Sequence, residues 1–426
     1  MSASGPGRRS VDVRTRRRAD AGPVDSAAFW ADEWAAARDR NGDQAAADAE
    51  LLGLDPLTVQ VDGESHTLCL GAGGIEAIPG AETGLVVRLD GAAFSDLVHE
   101  ERTALGLVIG GRVAGEGPAQ ELFCAWDPVL RSVLDGRGLY RPGAVALQAS
   151  EGTDLDLDQR FRLDERDGAA RFLAEAGFLL LQGVFTEAEM AALDSDLAAA
   201  VGAARPDDGA SWWTAISDGE RYPCRILDLA DRSEQLRSLL GDPRFLAIGR
   251  ILDDGHEPGD PFGEHFSEVT AEGLVKRVGS VEGLACLPWH KDCERGGHSM
   301  FCCGLTIGIC LTPVDVAHGG LDVIAGSHRA HIARRQVERG LDLPVATLRA
   351  ERGDVTVHVS CALHQSTHPE SAERRVIYTG FALPPGPGDH ESVAEHGRLL
   401  SERAAIAGRH EEAPFSVGPA AGPGSP

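Results

Sequence analysis

Positive charge is scarce in this chain. Its 426 residues carry 40 lysines and arginines against 66 aspartates and glutamates, a formal net charge of −26. Lysine is nearly absent: Lys276 and Lys291 are the only two. Such an excess of acid argues against general attraction to phosphate backbones or anionic lipid, so a nucleic-acid partner is not expected. Nor is there an apolar run approaching the ~20 residues a membrane helix needs, so no membrane span is expected. The nine cysteines form no Cys-x-x-Cys pair, their number is odd, and no apolar signal segment opens the chain. Free thiols in a reducing cytoplasm are the expectation. Cys286, Cys293 and Cys361 lie near the histidines discussed below, as small hydrophobic packing residues or as auxiliary soft ligands.

What is present divides into two units, in line with the chain length. Residues 1–24 are Gly-, Ser- and Arg-rich and read as a disordered arm. The unit 25–141 opens on a helix from Ser26 to about Leu54, with Phe29, Trp30, Trp34 and Ala37 at helical spacing and Asn41-Gly42 as a break. Short strands follow at Leu57–Val61, His66–Leu70 and Gly84–Leu89. Asp90 caps a helix over 92–98, Leu105–Val113 is a further apolar stretch, and a last helix covers 120–134. Residues 142–160, with Pro142, Gly143 and an acidic run, read as a linker. The unit 161–405 then begins with a helix ended by Gly177, a strand Phe178–Leu181, and a helix opened by the capping box Thr186 to Glu189. Residues 205–223 read as a loop or flap, 258–282 as a mobile cover, and 411–426 as a disordered tail.

From Leu284 to Leu383 the chain is strand-rich with glycine turns, which points to a jelly roll or related double sheet. The segment Phe301–Leu311 alternates. One face is Phe301, Cys303, Leu305, Ile307, Ile309 and Leu311. The other is Cys302, Gly304, Thr306, Gly308 and Cys310, small enough to leave room for a ligand or for a closely packed neighbouring sheet.

Within this region lies His290-Lys291-Asp292. In an extended segment its first and third side chains share a side. Two imidazoles and one carboxylate on one face of a metal leave positions open for other ligands, an arrangement suited to non-haem Fe(II). His364 is the proposed third ligand, with His358 as a rival of the same strand parity. An arginine reaching such a pocket can hold a carboxylate by two parallel bonds. Arg374 and Arg375 must face opposite ways, and the apolar pattern around them selects neither.

The order of these features has a counterpart. His290-x-Asp292, the alternating strand, Gly-Gly-Leu-Asp-Val-Ile-Ala-Gly-Ser-His at 319–328, Gly353-Asp354, His364-Gln365-Ser366 and Arg375 together resemble the phytanoyl-CoA dioxygenase family of Fe(II)- and 2-oxoglutarate-dependent oxygenases. Ala174-Glu175-Ala176-Gly177-Phe178 followed by Gly183-Val184-Phe185 also matches. The resemblance implies an α+β chain whose C-terminal core is a double-stranded β-helix (jelly roll) with flanking helices. It implies Fe(II) on His290, Asp292 and His364, and Arg375 paired with the distal carboxylate of 2-oxoglutarate. Ser366 and Thr306 are further candidates for cosubstrate contacts. With O2 as cosubstrate, the implied reaction decarboxylates 2-oxoglutarate to succinate and CO2 and hydroxylates an organic substrate. Asp292 stands where halogenating relatives carry a small residue, which favours hydroxylation. Lys291 stands where many relatives have glutamine, and Pro369 and Glu370 where many place asparagine.

The smaller N-terminal α/β unit resembles sterol-carrier-like lipid-binding domains. Trp30–Arg38, the step Leu85–Gly91 and the small-residue turn Gly110–Gly117 carry that likeness, which implies a lipid-like or acyl substrate. A generic α/β accessory domain without a ligand is the competing reading. For the whole chain, two further readings stay open: a non-oxidative metal-dependent isomerase or hydrolase, and a non-enzymatic lipid or small-ligand binding protein.

Overall fold

The computed structural model describes residues 22–81, 83–100, 102–206, 208–259, 271–281, 285–295 and 304–383. The expected arm and tail lie outside them, apart from the last few residues of the arm.

The N-terminal unit is a four-stranded sheet under helices. Its first helix, preceded by a π-helical turn Phe29–Glu33, runs Trp34–Leu52. It passes straight through Asn41-Gly42, contrary to the expected break. Asn41 explains part of this, since its amide donates to the Val133 carbonyl at 2.8 Å and so ties the helix to a neighbour. The strands are β1 (Leu57–Val61), β2 (Glu64–Gly71), β3 (Gly74–Pro79) and β4 (Val86–Leu89). They lie in the order β3-β2-β1-β4, with β4 parallel to β1. Asp62 and Gly63 join β1 to β2 with φ of 49° and 95°, the doubly positive pair that a two-residue hairpin of matching twist requires. Asp90 caps the helix Gly91–Val98 by accepting from the Ala93 N–H at 2.6 Å. Helices Ala104–Ile109 and Gly117–Asp135 complete the unit. Its core gathers Trp34, Leu57, Val59, Phe94, Phe123 and Trp126.

Residues 142–160 are more than a spacer. Leu147, Leu155 and Leu157 pack on the C-terminal core, and Gly143 N–H donates to Asp342 at 2.8 Å. The two units meet along this path. Tyr140 Oη donates to Asp342 at 2.6 Å, and Arg335 donates to the Leu52 and Gly53 carbonyls that end the first helix.

The C-terminal unit starts with a helix, Arg166–Ala176, then β5 (Phe178–Leu181) and a helix Glu187–Ala203 with the expected capping box. The expected loop at 205–223 is instead mostly a hairpin of β6 (Ser211–Ala215) and β7 (Arg221–Ile226). Trp212 and Trp213, half-buried against the core, make this polar stretch foldable. Helices Glu234–Leu240 and Pro243–Gly249 precede β8 (Glu257–Gly259) and β9 (Glu272–Lys276). Residues 260–270 of the expected cover lie outside the described residues. There follow β10 (Gly304–Cys310), β11 (Leu321–Ile324), β12 (Val345–Leu348), β13 (Val355–Val359), β14 (His364–Ser366) and β15 (Arg374–Ala382).

The larger antiparallel sheet runs β5-β13-β10-β15-β9-β7-β6, and the smaller runs β12-β11-β14. Alternation along β10 divides its residues. Leu305, Ile307 and Ile309 enter the main core with Phe172, Leu193 and Phe245. Thr306 faces a cavity that both sheets line, Leu321, His364 and Ser366 coming from the smaller one. Further along the same face, Gly308 is needed for close approach, since a Cβ there would lie 2.5 Å from Thr356 Oγ1.

Candidate metal centre

The backbone brings the candidate ligands together first. His290 and His364 form an antiparallel bridge, each N–H donating to the other's carbonyl at 3.0 Å. Asp292 N–H donates to the Ser360 carbonyl at 2.8 Å. One ligand atom from each of His290, Asp292 and His364 falls within 4.8 Å of the others. His290 Nε2 is 3.5 Å and His364 Nε2 3.6 Å from the same oxygen, Asp292 Oδ1.

Each ring is held in the tautomer a metal needs. His290 Nδ1 lies 2.7 Å from the Pro288 carbonyl and His364 Nδ1 3.0 Å from that of Ala362. A carbonyl only accepts, so Nδ1 carries the hydrogen and Nε2 presents its lone pair. Burial, and then the neighbouring imidazole of His290, hold His364 well below the ordinary imidazole range and therefore neutral. Burial also opposes ionisation of Asp292. The imidazoles of His364, His290 and His358 around it outweigh that penalty and hold the carboxyl well below its usual value.

The second oxygen of Asp292 is occupied from behind. Thr306 Oγ1 donates to Oδ2 at 2.9 Å, and His358 Nε2 lies 3.3 Å from it. Of the two rival histidines, His364 belongs to the ligand cluster, while His358, its ring 4.3 Å from that of His364, lines the same cavity and meets the other oxygen of Asp292. Thr306, a candidate for the cosubstrate, instead touches Asp292.

Arg375 is not in the cavity. Its guanidinium faces the helix Glu187–Ala203, donating to Asp194 at 3.0 Å and Glu373 at 2.7 Å. The expectation drawn for it fails on strand parity. Arg374, the adjacent residue, points inward and is fully buried. It donates to the Gly319 and Gly320 carbonyls at 3.2 and 3.3 Å and to Tyr378 Oη at 3.1 Å, while its Nε has no partner. Directly across the ladder sits Lys276, also fully buried. Its ammonium donates to Ser366 Oγ and to the Thr367 carbonyl. Burial, and then the charge of Arg374, pull Lys276 down to about 7. Among the described residues neither cation has a carboxylate partner. Two adjacent buried cations without one make a site for an anion. Ser366, which meets Lys276, lines the cavity that holds the three candidate ligands.

Sequence reading missed Lys276, Arg374 and the part played by His358. A signal for the first was available: a chain that has all but abandoned lysine keeps two, and both are buried.

Residues 173–377 match the family described as phytanoyl-CoA dioxygenase (PhyH). No curated protein matches. Among solved structures, the chain is similar to AviO1 from Streptomyces viridochromogenes Tue57, at 22% identity over 52% of this chain and 98% of that one, with a TM-score of 0.41. It is also similar to SnoK, a non-heme alpha-ketoglutarate-dependent carbocyclase from nogalamycin biosynthesis, at 20% identity over 55% and 93% of the two chains and a TM-score of 0.39. EctD from S. alaskensis with bound Fe shows 17% identity over 57% and 86%, with a TM-score of 0.42. No described helix is long and apolar enough to cross a membrane.

Proposed function

We propose that this chain is an Fe(II)- and 2-oxoglutarate-dependent oxygenase that hydroxylates a small organic substrate. The observation that carries the reading is the open cluster His290, Asp292 and His364 in a cavity that Ser366 also lines, with the buried cations Lys276 and Arg374, which have no carboxylate partner among the described residues, behind Ser366. Three neutral-nitrogen and carboxylate donors on one side suit a ferrous ion that must keep positions for other ligands. A dicarboxylate keto acid suits the rest, because its far carboxylate supplies the charge the two cations lack.

When bound, the ferrous ion and the keto acid would supply oxygen activation coupled to release of succinate and CO2. The protein's own contribution is positional. The Pro288 and Ala362 carbonyls aim the two imidazoles, and Thr306 and His358 fix Asp292 so that one oxygen faces the metal. Arg374, Lys276 and Ser366 would anchor the cosubstrate at its distal end, and Trp289, packed beside Tyr140 and Leu363, screens the histidine strand from water.

For the substrate, a lipid-like or acyl compound is favoured by the N-terminal unit. Its apolar cavity is walled by Phe29, Trp30, Val59, Leu68 and Phe94, and its architecture is compatible with a sterol-carrier-like domain. The test is direct. The full chain, prepared without oxygen and then given Fe(II), 2-oxoglutarate and air, should release succinate, faster with the true substrate. Asp292→Ala should abolish that turnover; undiminished succinate from this variant would overturn the assignment. A fluorescent fatty-acyl probe that fails to bind the full chain would remove the lipid-like reading alone.

A further inference from the structure

Much of the wall of the metal cavity is apolar: Leu274, Ala285, Leu287 and Leu321 line it. Arg225 joins them, and among the described residues that line the cavity it is the one arginine or lysine. Lys276 and Arg374 stand behind Ser366 and Tyr378, whose hydroxyls accept their hydrogen bonds.

The sheet sets where Arg225 stands. Thr306 lies on β10, Tyr378 on β15, Leu274 on β9 and Arg225 on β7, neighbouring strands that all contribute to the cavity. Adjacent strands are about 4.8 Å apart, so Arg225 is rooted roughly 14 Å from Thr306. Thr306 in turn touches Asp292. A substrate gripped at Arg225 can therefore reach the metal cluster with a part several carbons away.

The guanidinium is fixed by two neighbours. Arg225 is 8% exposed, and its Nη1 donates to Glu272 at 2.7 Å. It lies over the ring of Trp212, its cross-strand partner on β6, 5.6 Å from the centroid. A guanidinium carries five N–H donors in a rigid plane, a shape that suits a carboxylate. Held in this way it is ordered before a ligand arrives, which lowers the cost of binding one.

Formal charge makes the same selection. Arg225 and Glu272 cancel. A ferrous ion beside Asp292, and a keto-acid dianion beside Lys276 and Arg374, leave one positive charge over. One acidic group on the substrate balances it, whereas an amine adds to the excess.

We propose, resting on the metal and cosubstrate reading above, that Arg225 is a specificity-determining residue and that the primary substrate is a monoacid with an apolar body whose acidic group it receives.

The test uses the full chain freed of iron and loaded, without oxygen, with Co(II) and 2-oxoglutarate. Octanoate, octanol and octylamine are titrated in near neutral pH, and the visible absorption of Co(II) reports a probe arriving beside the metal with no turnover. Octanoate should bind at least about tenfold more tightly than octanol, the worth of a charge-assisted hydrogen bond, and octylamine most weakly. In Arg225→Met the preference for octanoate should shrink to about twofold or less, with affinity for 2-oxoglutarate within about twofold of wild type. A purely structural Arg225 would weaken octanoate and octanol alike. Arg225→Lys keeps the charge and should keep part of the preference. Near-UV circular dichroism establishes folding. Should Arg225→Met not fold because Glu272 is left without its cation, Arg225→Met/Glu272→Gln removes both charges and should lose the preference equally.

A wild-type chain that holds Co(II) and 2-oxoglutarate yet does not prefer octanoate overturns this inference alone. So does a preference that survives Arg225→Met, which marks octanoate on the metal itself. Octanoate binding that weakens as 2-oxoglutarate is raised marks it in the cosubstrate's place and overturns the inference too. A chain that binds no Co(II), or Co(II) binding that survives His364→Ala, overturns the metal reading as well.

Discussion

Asp292 and His358 are joined through the carboxylate oxygen that the other two histidines leave free: His358 Nε2 lies 3.3 Å from Oδ2, while His290 and His364 are near Oδ1. The two oxygens are thereby given different work. With Thr306 also bonded to Oδ2, Asp292 is set to offer a single oxygen to a metal. His358→Phe keeps the volume and removes the bond. It should weaken Fe(II) or Co(II) affinity by about 10-fold, and Thr306→Val by a similar factor, both in the range seen when a ligand's hydrogen-bond partner is lost. Equilibrium metal titration checks both. Unchanged affinity in the two variants would remove the clamp from the account.

The neighbouring arginines should separate cleanly. Arg374→Met is expected to raise the KM for 2-oxoglutarate by about 10- to 100-fold, the loss of one charge-assisted anchor at ~1.5–3 kcal/mol. Arg375→Met cuts a half-exposed ion pair with Asp194 on the outer face and should leave KM within about twofold while lowering stability by less than ~1 kcal/mol. Steady-state kinetics and thermal melts of both variants decide it. A KM effect confined to Arg375→Met would restore the arrangement expected from sequence and overturn the one described.

Lys276 gives the cosubstrate site a pH dependence with a defined sign. Its pKa of about 7 is far below the unfolded value, because burial and Arg374 disfavour its charge. Folding therefore costs most below pH 7, where the ammonium must be buried charged, and that cost fades as pH rises toward the unfolded pKa. Binding runs the other way, since a dianion favours the protonated amine. Affinity for 2-oxoglutarate should fall as pH rises from 7 to about 9, with proton uptake on binding. Calorimetry in buffers of different ionisation enthalpy measures that uptake. Lys276→Met should abolish it.

Gly319 supports the same anion site from the backbone. Its φ is +78°, and a Cβ there would lie 2.6 Å from the Thr367 carbonyl and 2.8 Å from Pro369 N. Its own carbonyl accepts from Arg374. Gly319→Ala should cost roughly 1–3 kcal/mol of stability through strain at a special conformation. It should also raise the KM for 2-oxoglutarate, visible as a lowered Tm together with weakened cosubstrate saturation.

The parts legible in the sequence were those written locally. The capping box at Thr186 and Glu189, the Asp90 cap and the alternation of 304–311 each fix structure within a few residues. The spacing of His290 and Asp292 was likewise enough to put both on one side. What failed needed partners far away. Asn41-Gly42 stays helical because Asn41 is bonded across to Val133. The stretch 205–223 folds because Trp212 and Trp213 find a core to lie on. The choice between Arg374 and Arg375 depends on which face of β15 looks inward, and both faces carry apolar residues, so only the pairing with β9 sets it.

Both lysines of this chain are interior, Lys276 at 0% and Lys291 at 1% exposure. The folded protein accordingly offers amine-directed reagents no side-chain target, and lysine-specific proteases no accessible cleavage point. Acylation of Lys276 or scission after Lys291 would report opening of the fold, which makes the rarity of this one residue a built-in gauge of how often the molecule breathes.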